Sequence, residues 1–252
     1  MQSTLRSLVT IGAIWTLTIA GARGGARSFT YVYEATTAPK GSLEYEQWVT
    51  WKTDKQSDAD FERFDFRHEI EYGVTDRLQL GLYLADWRYE ENAADSGSAK
   101  YRTSAIEAIY NLTNPYESLL GSALYGEVKV GDDLYELEGK VLLQKDIGPW
   151  LLAYNAIVEA EWEDNFDEKK GEWANSAGLS YMLDARLMVG VEALHEVEIE
   201  DWSDFEDHAF YVGPNASLRF RDAFVTVTGL FQATDLEGEP NIQTRLIAGV
   251  DL

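Results

Sequence analysis

Between Phe61 and Tyr89 the chain permits little but a β-hairpin. Phe64, Phe66, His68, Ile70 and Tyr72 form one mainly apolar set, and Arg63, Asp65, Arg67, Glu69 and Glu71 form the other, all charged. A helix would scatter both sets around its axis, whereas a period of two sorts them onto opposite faces of a strand. Val74-Thr75-Asp76-Arg77 is a short polar connection, after which Leu78, Leu80, Leu82 and Leu84 alternate again.

The same unit recurs to the end of the chain. Leu43, Tyr45, Val49 and Trp51 oppose Glu44, Glu46, Trp48 and Lys52; Leu124, Gly126, Val128 and Val130 oppose Tyr125, Glu127 and Lys129. Trp150, Leu152, Tyr154, Ala156, Val158, Ala160 and Trp162 make one continuous apolar face, and the chain closes on Ile242, Thr244, Leu246, Ala248, Val250 and Leu252. The pattern predicts about twelve strands of roughly ten residues, the length of a tilted strand that crosses a bilayer. The connections sort by parity. Stretches 54–60, 90–100, 163–172, 200–207 and 235–240 read as longer acidic loops, and 74–77, 146–149, 183–186 and 221–222 as tight turns. Stretches 131–133 and 112–119 blur that sorting. An up-and-down barrel with short turns on one side and longer loops on the other has this form. Pro214, beside Gly213 within the tenth strand, points to a bulge or to a strand boundary that falls elsewhere, because proline removes a ladder donor.

The apolar faces are edged by aromatic residues: Trp51, Tyr72, Tyr110, Trp150, Trp162, Trp173, Tyr181 and Phe220 all fall near strand ends. Rings at both rims of an apolar band form the interfacial girdle of a membrane barrel. A soluble sandwich shows the same alternation but has no need of parity-sorted connections.

The N-terminus carries Arg6, an uncharged apolar run from Leu8 to Ala20, and small residues at Ala20-Gly21-Ala22 and again at Gly24-Gly25-Ala26. This is the pattern of a secretory signal peptide over residues 1–22, with cleavage after 26 as the second site. The run is short for a membrane-spanning helix. Residues 23–252 then form one barrel domain. A formal charge of −23 disfavours nucleic acid as a partner. Absence of Cys removes disulfides, thiol catalysis and thiolate metal sites.

Pro39-Lys40-Gly41 followed by Glu46-Gln47-Trp48-Val49-Thr50, then Glu69-Ile70-Glu71-Tyr72-Gly73 and Val74-Thr75-Asp76-Arg77-Leu78-Gln79, resemble an uncharacterised family of bacterial outer-membrane barrels. That family is akin to transporter-like outer-membrane proteins associated with aromatic-compound degradation. The close likeness spans roughly residues 29 to 90. It implies a Gram-negative outer-membrane location and brings no catalytic residues. The last strand is similar to a barrel assembly signal, though it ends on Leu252 where an aromatic is usual. Outer-membrane lipid, lipopolysaccharide and the barrel assembly machinery are the implied partners, with both termini periplasmic.

If the apolar face meets lipid, the other face lines a lumen. It places inside Glu44, Glu46, Arg63, Asp65, Arg67, Glu69, Glu107, Glu127, Lys129, Glu136, Glu138, Lys140, Glu159, Glu161, Glu192, Arg219 and Arg245. Twelve strands lie between small barrels filled by side chains and large ones with a water channel. One reading is a passive, porin-like pore for small solutes that prefers cations, since acidic residues outnumber basic ones. The other is a lumen packed with ion pairs, in a scaffold or adhesion barrel that presents acidic outer loops. A membrane hydrolase is the third reading. It would need a Ser near a His, and the nearest arrangement is His195 with Asn215 or Ser217 across from it. No spacing matches a Ca²⁺ loop, Asp201, Asp204 and Asp207 included, and no cofactor is indicated.

Overall fold

The computed structural model describes residues 27–252; the signal peptide expected at residues 1–22 lies outside them. Thirteen strands follow one another: β1 Leu43–Lys55, β2 Asp58–Thr75, β3 Leu78–Asn92, β4 Asp95–Thr113, β5 Gly121–Val130, β6 Leu134–Ile147, β7 Trp150–Glu163, β8 Glu168–Met182, β9 Leu187–Glu200, β10 Asp204–Phe205, β11 Ala209–Arg219, β12 Ala223–Gln232 and β13 Pro240–Asp251. All but the two-residue β10 pair antiparallel with both neighbours, and β13 returns to β1 through Tyr45↔Val250 and Trp48↔Ile247. The result is a closed twelve-stranded up-and-down barrel, with β10 added to the end of β9 through Asp204↔Glu200.

Burial is inverted relative to a soluble protein. Leu82, Ile106 and Val128 stand in one outward row, 43%, 62% and 40% exposed, while Glu46, Glu69, Glu107 and Glu192 on the inner wall are fully buried. A water-soluble sandwich would bury the first group and solvate the second; an apolar belt of this extent needs hydrocarbon around it. Rings gather at two levels. Trp150 packs edge-on against Tyr181 at 4.7 Å beside the tight turns; at the other end Trp162 meets Trp202 at 5.1 Å and Trp87 meets Tyr101 at 5.9 Å.

Three sequence expectations need correction. The stretches 54–60 and 90–100 are not loops. β1 and β2 turn over two residues and β3 and β4 likewise, with pairing kept at Lys55↔Asp58 and Glu90↔Ser98. Of 163–172, only 164–167 lies outside strands. Beyond the bilayer, lipid no longer demands apolar residues, so the ladder continues while the hydropathy signal stops. Strand length is therefore not uniform. β4 has 19 residues and β5 has 10; at about 3.4 Å per residue β4 is roughly 60 Å long. Finally, no bulge forms at Pro214. Val212↔Phe231 and Asn215↔Thr228 hold one register across it, and Pro214 itself faces Val191.

The apolar belt predicts a specific cost. Ile106→Arg, at the centre of the Leu82–Ile106–Val128 row, should destabilise the folded barrel by about 2–4 kcal/mol in lipid. Ile106→Leu should leave it within error. Urea titration of folding into phospholipid vesicles measures both.

Candidate functional site in the barrel lumen

The lumen is occupied by the chain's own N-terminal segment. Residues 27–41 precede β1, and Phe29, Thr30, Tyr31, Val32, Tyr33, Ala35 and Ala38 are buried. Apart from the Gly41 N–H bond to the Gly73 carbonyl at its end, this segment forms no ladder with a strand, yet its backbone groups in the interior need partners. Wall side chains supply them. The Glu192 carboxylate accepts the N–H groups of Thr30, Tyr31 and Val32 at 2.9, 2.7 and 3.2 Å. Asn155 serves both sides of one residue, accepting the Tyr33 N–H at 2.7 Å and donating to the Tyr33 carbonyl at 2.9 Å. Gln144 accepts the Ala35 N–H, Asn111 donates to the Ala35 carbonyl, and Gln79 accepts the Ala38 N–H. At the start of the segment Asn215 donates to the Ser28 carbonyl, and Ser217 and Thr226 to that of Arg27. The segment enters beside the tight turns, rises to the level of Glu192 and Asn155, and returns to the turn end near Gln79.

Side chains seat it further. The Phe29 ring packs against Gly178, where any Cβ would overlap it. Tyr33 packs with Trp48 and Tyr125 in the largest buried apolar cluster described, with centroids 5.0 Å from Tyr125. The Arg245 guanidinium sits 4.0 Å over the Tyr31 ring and donates to the Thr30 carbonyl. Arg27 lies 4.7 Å from both the Tyr33 and Trp48 rings and pairs with Glu46 at 2.9 Å and Glu71 at 2.6 Å. Burial raises the Glu34 carboxyl above its ordinary range, opposed by the Ser28 N–H that it accepts.

The wall carries an ordered row of acids. Cross-strand neighbours run Glu44↔Glu71↔Gly81↔Glu107↔Glu127↔Glu138↔Glu159↔Glu172↔Glu198, eight glutamates over nine strands with a single glycine among them. Because strands in a barrel are tilted and staggered, the row climbs. It begins one residue from the turn-side end of β1 and finishes two residues from the loop-side end of β9. Like charges directly opposite one another destabilise a sheet. Basic side chains offset this along part of the row. Arg67 bridges Glu127 at 2.5 Å and Asp86 at 2.8 Å. Lys129 contacts Glu136 and lies 3.7–3.8 Å from Glu127, Glu138 and Glu159. Lys140 reaches Glu138 at 3.0 Å. Higher on the wall the pairs are one-to-one, Arg63 with Glu90 and Asp65 with Arg88.

Of the lumen residues expected from parity, Glu44, Glu46, Glu69, Glu107, Glu127, Glu136 and Glu192 are buried inside, and Arg63, Asp65, Arg67, Lys129, Glu138, Lys140, Glu159, Glu161 and Arg245 are half-buried. Arg219 stands exposed at the turn-side rim. The lumen set drawn from charged residues left out the inward amides Gln79, Asn111, Gln144, Asn155 and Asn215, and the alternation assigned no role to the residues ahead of Pro39. The signal for that segment was present, since Phe29, Tyr31 and Tyr33 alternate ahead of β1 as a strand face would. The hydrolase arrangement does not form. His195 pairs across with Phe210 and stacks on it and on His208, whereas Ser217 lies opposite Met188 and bonds to Arg27.

A model described as "Family of unknown function (DUF6662)" matches residues 22–161. No curated protein matches the chain. Among solved structures, the COG4313 outer membrane channel from Pseudomonas putida F1 superposes with a TM-score of 0.66 at 14% identity, covering 86% of this chain and 98% of that one. The NanC porin gives 0.54 at 7% identity, covering 83% and 98%; the KdgM porin, solved with disordered oligogalacturonate, gives 0.52 at 11%, covering 83% and 97%. These likenesses are of fold.

Glu192 is the main anchor of the inner segment. Glu192→Ala should weaken its seating by about 3 kcal/mol, the loss of buried N–H bonds to a carboxylate. Amide exchange at Thr30, Tyr31 and Val32 should then accelerate about a hundredfold, while β5 and β6 amides stay protected. Hydrogen-exchange mass spectrometry in detergent reads both.

Proposed function

As a member of the family of unknown function DUF6662, which its match over more than half the sequence assigns it to, the chain belongs with proteins whose activity must be argued from the barrel, and we propose that it is a narrow, cation-preferring channel of the Gram-negative outer membrane. The observation that carries this is the climbing glutamate row. Eight carboxylates set side by side cost stability, and a barrel kept only as a scaffold has no use for them. A file of carboxylates from the loop mouth to the turn end provides successive weak stations for a cation and repels anions, which is how rings of acidic side chains select in other pores. In this reading the signal peptide directs export, the tight turns and both termini face the periplasm, and the extended hairpins stand among lipopolysaccharide. The inner segment is held mainly by side chains, with one backbone bond from Gly41 N–H to the Gly73 carbonyl at its end, so it sets the bore of the channel and is the element whose movement would widen it.

A second reading has its own support. Tyr83, Glu69 and Glu107 are fully buried at mid-height beside the segment, as in a barrel that conducts nothing and presents its hairpins outward. Planar-bilayer recording separates the two. The channel reading expects small current steps whose reversal potential in a KCl gradient has the sign of K⁺ selectivity. Glu138→Gln with Glu159→Gln should reduce that selectivity, and removal of residues 28–38 should enlarge the steps severalfold. Silence from both the intact and the shortened chain would refute conduction.

A further inference from the structure

Below the paired part of the row, the carboxylates outnumber their cations among the described residues. Glu44, Glu46, Glu69, Glu71 and Glu107 are all at most 4% exposed, and Arg27 is the cation set among them, shared between Glu46, Glu71 and, at 3.5 Å, Glu69. Both Glu69 oxygens and Glu107 Oε1 are buried without a hydrogen-bond partner. Burying unpaired charge of this kind is costly unless the carboxyls take up protons or a counter-charge sits among the oxygens. The oxygens also converge, for Glu69, Glu71 and Glu107 each place a carboxylate atom within 4.8 Å of the other two.

The wall makes room at that point. Gly81 lies between Glu71 and Glu107 in the row, and the Glu69 carboxylate folds across it; a Cβ at Gly81 would overlap Glu69 Oε1 and stand 3.2 Å from the Glu107 Cβ. Tyr83 donates to Glu107 Oε2 at 2.8 Å, which turns Glu107 Oε1 toward the cluster. Arg27 holds Glu71 Oε1 at 2.6 Å.

We propose that Glu69, Glu71 and Glu107 bind one divalent cation over Gly81. An all-carboxylate set selects a hard ion, and a set of only three residues suits Ca²⁺, which tolerates irregular geometry completed by water, better than Zn²⁺ or Cu²⁺, which take imidazole or thiolate. The ion ties β2 to β4 across β3. Through Arg27, which shares Glu71 and Glu69, it also fixes the start of the inner segment. Occupancy is independent of conduction: a silent barrel can hold the ion, and a conducting one can lack it.

The full-length folded protein, stripped with chelator in detergent, is dialysed against Ca²⁺, and bound metal is measured by equilibrium dialysis and elemental mass spectrometry. The expected result is roughly one tightly held Ca²⁺ per chain, with Mg²⁺ as a weaker competitor. Glu107→Gln and Gly81→Ala should each weaken binding by at least about tenfold; Gly81→Ala keeps every carboxylate and only fills the space. Glu198→Gln, in the exposed loop-end cluster of Glu198, Glu200 and Glu206, should not change it. Heat-dependent gel migration verifies that each variant is folded, and Glu107→Asp replaces Glu107→Gln if that variant is not. Absence of bound Ca²⁺ and Mg²⁺, or binding indifferent to both Gly81→Ala and the Glu107 variant, overturns the proposal.

Discussion

Everything in this molecule follows from closing a sheet so that no backbone group is left for hydrocarbon to face. In lipid an unpaired N–H or C=O has no water to turn to, so an open edge is excluded. The β1–β13 ladder, running from Glu44↔Asp251 to Lys55↔Pro240, removes that edge. Closure then forces the side-chain alternation to be read as outside and inside, apolar residues to lipid and charged ones to the lumen.

The interior inherits a problem of its own. A peptide threaded into a barrel has no strand partner, and its backbone must be satisfied one group at a time. The wall does this with amide and carboxylate side chains whose reach from the sheet matches the position of the segment. Asn155 grips both polar groups of Tyr33, and Glu192 collects three successive N–H groups. Such bonds are replaceable by water, unlike a β-ladder that zips as a unit. The segment is therefore the least cooperative part of a stable barrel, the kind of element from which moving parts are drawn.

The glutamate row is where local rules are broken. Sheet pairing disfavours like charges opposite one another, yet β1 to β9 keep them in register. The upper part is eased by Arg67, Lys129 and Lys140, and the lower part converges on Gly81. Departures of this kind from local consistency mark functional positions more often than accidents. The His195–His208 stack, by contrast, faces away from the lumen and from Ser217, the serine that the sequence suggested for it.

Much of this was legible in the sequence alone. The period of two, the tight turns and the rim aromatics determined strand number, closure type and which face meets lipid, because a one-residue slip would turn every Leu to the lumen and every Glu to lipid. What they left open depends on distances across the barrel. Where strands end past the membrane was hidden, since polar hairpin extensions and loops have the same composition. That Glu44 and Glu198 belong to one row was hidden too, because cross-strand register and stagger carry no signature along the chain. The inner segment was decided by tertiary structure alone: Phe29, Tyr31 and Tyr33 alternate like a strand, but only the diameter of the closed barrel and the amides on its wall determine that they fill it instead of extending it.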